Sequence, residues 1–127
     1  MLIDTDVVIR FLTNDDVAKA NQFRKFLESG RKGELVDVTV AEVYWTLKSL
    51  YQYPKLKILE SLELLIDLRQ IKCNRKILFN VIDVLRIKNV SFVDAYTAVC
   101  AKMKYKGKVM SFDKDYDKIK GVKRVEP

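Results

Sequence analysis

Apolar and polar positions change period repeatedly along this chain, and the changes mark out short strands alternating with helices. Met1-Leu2-Ile3 is a brief apolar run ending at Asp4 and reads as a strand, while Val7 to Leu12 is helix-like and closes at Thr13-Asn14. From Asp16 to Gly30 charged and apolar residues mix at helical spacing, with Asn14 or Asp15 available as N-cap and Gly30 or Gly33 as the stop. Leu35 to Thr39 alternates, as a second strand does. Apolar residues at 40, 43, 44, 47, 50 and 51 then form the stripe of an amphipathic helix over Thr39 to Tyr51, and Pro54 suits the first turn of the next one. Residues 56 to 68 are apolar almost all round, which predicts a helix wrapped on all sides or shared with a partner subunit.

Beyond it, a brief Ile71-Lys72-Cys73 precedes Asn74, a cap for a helix through Ile87. Ser91-Phe92-Val93-Asp94 fits the Ser-x-x-acid capping pattern and opens a helix through Tyr105, stopped by Gly107. Lys108 to Phe112 reads as a strand, Asp113 to Ile119 as a short helical turn and Val122 to Val125 as a last strand. The alternation predicts an α/β fold: one domain over residues 1–127, with a mainly parallel central sheet of about five strands flanked by helices. Ligands of such sheets bind at the carboxyl ends of the strands, and both Asp4 and Asp113 lie just past a predicted strand.

Composition narrows the chemistry. The chain has no histidine, so a Ser-His-Asp triad, a His general base and a His-ligated zinc site are all excluded. Hydrolysis here has to be carboxylate chemistry around a hard cation held by oxygen, with Mg²⁺ or Mn²⁺ the natural choice. Lys and Arg number 24 against 17 acids, and the net charge of +7 suits either a polyanion such as nucleic acid or a solubilising Lys-rich surface. Acids at motif positions inside an otherwise basic chain favour the first. Cys73 and Cys100 form no CxxC pair and read as buried thiols. The opening MLIDTD lacks the features of a signal peptide and no apolar run is long enough for a bilayer span, so a cytoplasmic protein without membrane contact is expected.

Periodicity separates some acids from the core. Glu42 and Asp94 each sit two residues after the first member of an apolar stripe, and at about 100° per residue each projects off that stripe from the first turn of a helix. Taken singly, either is explained by favourable interaction with the helix dipole, and Asp94 also by a capping box with Ser91. Asp4 alone reads as an Asx turn, and Asp113, Asp115 and Asp117 as a solvated acidic turn. Helix starts and strand ends meet at one edge of a doubly wound sheet, and this gives the four acids Asp4, Glu42, Asp94 and Asp113 a common meaning.

Four fragments carry a resemblance: Leu-Ile-Asp-Thr-Asp-Val-Val-Ile-Arg-Phe-Leu at the start, Ala-Glu-Val-Tyr-Trp-Thr-Leu, Phe-Val-Asp-Ala-Tyr-Thr-Ala-Val, and Met-Ser-Phe-Asp-Lys-Asp-Tyr near the end. In this order, across nearly the whole chain, they resemble the PIN-domain family, and within it the toxin of VapBC-type toxin-antitoxin pairs. The resemblance implies a three-layer PIN-like fold and a divalent-metal-dependent ribonuclease. By position it assigns catalysis to Asp4, Glu42, Asp94 and Asp113, with Asp4 and Asp94 as the main ligands of Mg²⁺ or Mn²⁺ and Asp6, Glu42, Asp113 and Asp115 as further ligands. Ser111 falls where the family often has Thr or Ser. Asp6 departs from the pattern, since the family usually has Asn there.

The resulting expectation is an endoribonuclease acting as a homodimer and silenced by a cognate antitoxin. Carboxylates hold the cation, and Glu42 and Asp113 orient or deprotonate the attacking water. Arg10, Lys48, Lys102, Lys104, Lys106 and Lys108 are the candidates for gripping RNA phosphates, the last four interleaved with Met103 and Tyr105 next to the expected site. The competing explanation for these four is a solvated helix end. Trp45 lies off its helix's apolar stripe and suits a stacked base or, better, a subunit interface. Three alternatives differ in role: an RNA-processing PIN nuclease without antitoxin, a Mg²⁺-binding receiver-like signalling domain for which only Asp37 offers a phospho-acceptor, and an inactive RNA-binding module, which the four acids argue against.

Overall fold

A computed structural model describes residues 1–127, and its chain contacts group into two compact units, Met1–Arg75 and Lys76–Pro127. In the first, the apolar opening is extended: Ile3 N donates to Glu34 O and Glu34 N to Met1 O, both at 2.9 Å. Glu34 lies in β1 (Gly33–Glu34), which pairs in parallel with β2 (Ile71–Lys72), Gly33 opposite Ile71. Four helices surround these strands in sequence: α1 (Thr5–Thr13), α2 (Val17–Glu28), α3 (Asp37–Ser49) and α4 (Lys55–Ile66). Local chemistry explains their starts. The carboxylates of Asp4 and Asp16 cap α1 and α2 by accepting from the amides of Thr5 and Lys19. Ile3, Val8, Phe23, Leu35, Val43, Leu47, Leu59 and Leu62 are buried.

Three expectations change, the last of them in both units. The strand expected over 35–39 is replaced by the start of α3, because Asp37 falls in the first helical turn, where an acid complements the dipole, and accepts two bonds from Asn74 Nδ2 at 3.0 and 3.2 Å. The extended segment lies earlier, at Gly33–Glu34. Helix α4 buries Ile58, Leu59, Leu62, Leu65 and Ile66 but leaves Leu56 and Leu64 57% and 74% exposed, so it is not enclosed on all sides within this chain. Cys73 and Cys100 are both partly exposed. The turn from α4 into β2 is held by Arg75, whose guanidinium donates to the carbonyls of Ile66, Leu68 and Ile71 at 2.7, 3.2 and 2.9 Å.

In the second unit, α5 (Arg75–Ile87) is followed by α6 (Phe92–Lys104), then β3 (Lys108–Met110), a 3-10 turn (Lys114–Lys118) and β4 (Lys123–Val125). Strands β3 and β4 pair in parallel, Lys108 opposite Lys123. Gly107 makes the entry to β3: its φ is +81°, and a Cβ there would lie 2.0 Å from the Gly121 carbonyl oxygen. Leu78, Ile82, Leu85, Phe92, Ala95, Val99 and Ile119 are buried.

The central sheet of about five strands is not observed. Pairing is confined to β1–β2, extended by a single bridge between Leu2 and Glu34, and to β3–β4. Strands of two or three residues carry few ladder bonds, and the helices supply most of the regular structure. The architecture is α/β with short parallel strands. No helix is long and apolar enough to cross a membrane.

Candidate metal centre

Strand β3 runs out into the acidic turn of the second unit, and side chains fold that turn onto itself. Ser111 N donates to Val125 O, and Ser111 Oγ accepts from Asp113 N, both at 2.9 Å. Asp113 Oδ1 in turn accepts from Asp115 N at 2.9 Å, capping the 3-10 turn. Asp94 comes from the first turn of α6, where its amide donates to the capping Ser91 Oγ at 3.1 Å. These constraints bring ligand oxygens of Asp94, Asp113 and Asp115 within 4.8 Å of one another, with Asp113 exposed and the other two half-buried. Asp117 is held apart by Arg124, which pairs with it at 3.1 Å and with Glu126 at 3.0 Å and also donates to Ser111 O.

The donor set fits a hard divalent cation. It is all oxygen, and oxygens on opposite sides of a Mg²⁺ or Mn²⁺ shell stand about 4 Å apart at ligand distances near 2.1 Å, so small rotations of the three carboxylates suffice. A positive charge already sits there: Lys118 Nζ pairs with Asp115 at 2.9 Å, and hydrogen bonding and attraction to Asp115, then attraction to Asp113, raise the Lys118 pKa. Tyr116 supplies a second support. Its ring is buried, and its pKa is raised chiefly by burial, with Thr97 acting against the shift and the Asp94 and Asp113 carboxylates adding to it.

Asp4, Asp6 and Glu42 belong to the first unit. Asp4 Oδ1 accepts from Thr5 N at 2.8 Å, Asp6 is exposed in the first turn of α1, and Glu42 is exposed on α3. Glu42 shares a helical face with Val38 and Trp45, which are 72% and 58% exposed. Arg10 is engaged by Asp15 at 2.7 Å and Tyr51 at 3.3 Å, and Lys48 Nζ lies 5.7 Å from the centre of the Tyr44 ring. Lys102, Lys104, Lys106 and Lys108 are exposed. Lys102 and Lys104 lie in the last turn of α6, roughly 12 Å or more from Asp94 along the helix axis at about 1.5 Å per residue, and Lys106 and Lys108 in the turn and strand that follow.

Sequence reasoning missed Tyr116, Thr97, Lys118 and Arg124. Lys118 follows Asp115 by three residues, a spacing that brings side chains together in a helical turn, and Thr97 stands likewise to Asp94. Tyr116 closes the fragment Met-Ser-Phe-Asp-Lys-Asp-Tyr, where its hydroxyl's destination had no local mark.

No curated protein and no solved structure matches the chain. A family model described as PIN domain matches residues 1–122. That match takes in every helix and every strand but β4, and the chain belongs to the PIN-domain family.

Proposed function

We propose that this chain is a divalent-metal-dependent endoribonuclease and the toxin of a toxin-antitoxin pair. PIN domains are generally nucleases that use divalent ions, and the observation that carries the reading is the convergence of Asp94, Asp113 and Asp115 within 4.8 Å. Asp94, with Asp113 and Asp115, would hold the cation, and Asp4 would serve as the ligand the family resemblance makes it. Bound Mg²⁺ or Mn²⁺ supplies charge against the scissile phosphate and lowers the pKa of neighbouring water. By the family resemblance, Glu42 and Asp113 would orient the attacking water and take up its proton. Tyr116 keeps the Asp94 carboxylate aimed, and the lysines at the end of α6 hold phosphates of the strand beyond the site.

The role as a cytoplasmic toxin, the homodimer and the antitoxin follow from the likeness to VapC-type chains. Exposed Val38, Trp45, Leu56 and Leu64 offer apolar surface for subunit contact. The decisive experiment pairs cleavage of a labelled RNA with Mn²⁺ binding by calorimetry, for wild type and Asp94→Asn. Cation-dependent cleavage and a bound cation, both lost in the variant while circular dichroism is unchanged, support the nuclease. Full cleavage by the variant refutes it. Growth arrest on expression of the chain alone, relieved by Asp4→Asn or by coexpressing the neighbouring gene, tests the toxin role. A harmless wild type that still cuts RNA in purified form points to RNA processing instead.

A further inference from the structure

The arginines are mostly spoken for, and the exception stands beside two lysines that form no ion pair. Six of the seven arginines have a partner: Arg10 has Asp15, Arg24 has Asn21 and the Phe11 ring, Arg31 the Phe26 ring, Arg75 three carbonyls, Arg86 Asp83, and Arg124 Asp117 with Glu126. Arg69 alone has none, and it lines two adjoining recesses of about 490 and 500 Å³. Both recesses are also lined by Lys32 and Asp67, and the second extends to Lys72 and the already engaged Arg75. Lys32, Arg69 and Lys72 are exposed and form no ion pair, even with Asp67 beside them. Like charges left together without neutralisation cost free energy, and a concave basic surface focuses potential for an anion.

We propose that Lys32, Arg69 and Lys72 form a docking site for the phosphodiester backbone of a nucleic-acid strand, separate from the acidic turn. The guanidinium of Arg69 offers a fork for two phosphate oxygens, with the two ammonium groups as point charges on either side. Asp67 trims the local charge, and the site makes no provision for reading bases. Lys32 and Arg69 precede the amino ends of β1 and β2, whereas Asp4 follows the carboxyl end of the parallel segment Met1-Leu2-Ile3. Lys72 ends β2 opposite Glu34, so along the strand direction the basic site lies short of Asp4 by roughly 13 Å at Lys32 and roughly 7 Å at Lys72, at about 3.3 Å per residue. It adds to the ribonuclease reading without depending on it, because a backbone site binds whether or not the chain cuts.

The test is fluorescence anisotropy of a labelled 12-nucleotide oligouridylate and a matching oligodeoxythymidylate, in EDTA so that no cleavage intervenes. Arg69→Ala combined with Lys32→Ala is expected to weaken both by on the order of tenfold and to flatten the dependence of log Kd on log salt by about 0.7 per lost contact. Arg69→Lys keeps the salt slope while losing part of the affinity. Asp67→Asn tightens binding. Unchanged affinity and slope in the double variant overturn the proposal. So does a loss confined to vesicles containing phosphatidylserine, which would assign the patch to a membrane surface. Absence of cleavage by wild type in Mg²⁺ would refute the nuclease while leaving these outcomes readable.

Discussion

Tyr116, a buried ring of the 3-10 turn, lies close enough to Asp94 of α6 for the Asp94 carboxylate to raise its pKa. The ring's burial fixes where the hydroxyl sits. Tyr116→Phe keeps the ring and removes the hydroxyl. Mn²⁺ affinity measured by calorimetry should fall on the order of tenfold, as for other second-layer partners of metal ligands, while stability in urea drops by only about 1 kcal/mol. Unchanged affinity would mean that Asp94 needs no such support.

Metal linkage gives a separate test. Three carboxylates within 4.8 Å repel one another without a full counter-charge, and a cation bound only by the native state stabilises it by about 2.7 kcal/mol at a hundredfold excess over Kd. Mg²⁺ should therefore raise the melting temperature of wild type more than that of Asp94→Asn, whereas the metal-free variant should be no less stable than metal-free wild type. Equal shifts at matched ionic strength would count against Asp94 as a ligand.

Much of this arrangement is legible in the amino-acid order, for a physical reason. Stripes such as Val40, Val43, Tyr44 and Leu47 identify α3, and Ser91 and Gly107 bracket α6, because capping and amphipathic periodicity are local. Strand pairing is not local, and this is where reading failed: the alternation from Leu35 to Thr39 imitates a strand although Asp37 begins a helix. The acids Asp94, Asp113 and Asp115 stand out by position in the sequence. Tyr116 and Arg124 escape notice because the approach of residue 116 to 94, or a bond from 124 to the Ser111 carbonyl, follows no spacing rule.

Gly107 and Gly30 should differ sharply when replaced by Ala. Both have positive φ, +81° and +78°, but a Cβ at Gly107 meets the Gly121 carbonyl at 2.0 Å, whereas nothing lies within 4 Å of one at Gly30. Backbone conformation alone costs about 1–2 kcal/mol in each case, and the clash adds about 1–3 kcal/mol at Gly107. It also strikes the junction at which Lys123 N donates to Gly107 O. Urea unfolding of the two variants measures the difference, and equal losses would contradict it.

Asp15 sets part of the acid limit of the fold. Its pKa is lowered, first by the hydrogen bond from Tyr51 and also by Thr13 and Arg10, against desolvation. A folded-state value below the unfolded one means that the contribution is complete above the unfolded value near pH 4 and disappears as pH falls through the lower folded value. The melting temperature of Asp15→Asn should thus lie below that of wild type at neutral pH and converge with it in acid, once the pH has fallen below the lowered folded value. The group is solvent-exposed, so added salt should shrink the gap. A gap that persists in acid would exclude the linkage.

Lys118, seated on Asp115, turns cation uptake at the acidic turn into an exchange. An arriving ion does not enter bare negative charge. It competes with an ammonium tethered three residues away, at a local concentration that dilution of the protein cannot change. Because both side chains of the pair are exposed, the competition is shallow. An ammonium displaced in this way would keep its charge and stay within a side chain's length of the turn, so the exchange would move positive charge within the turn without removing it.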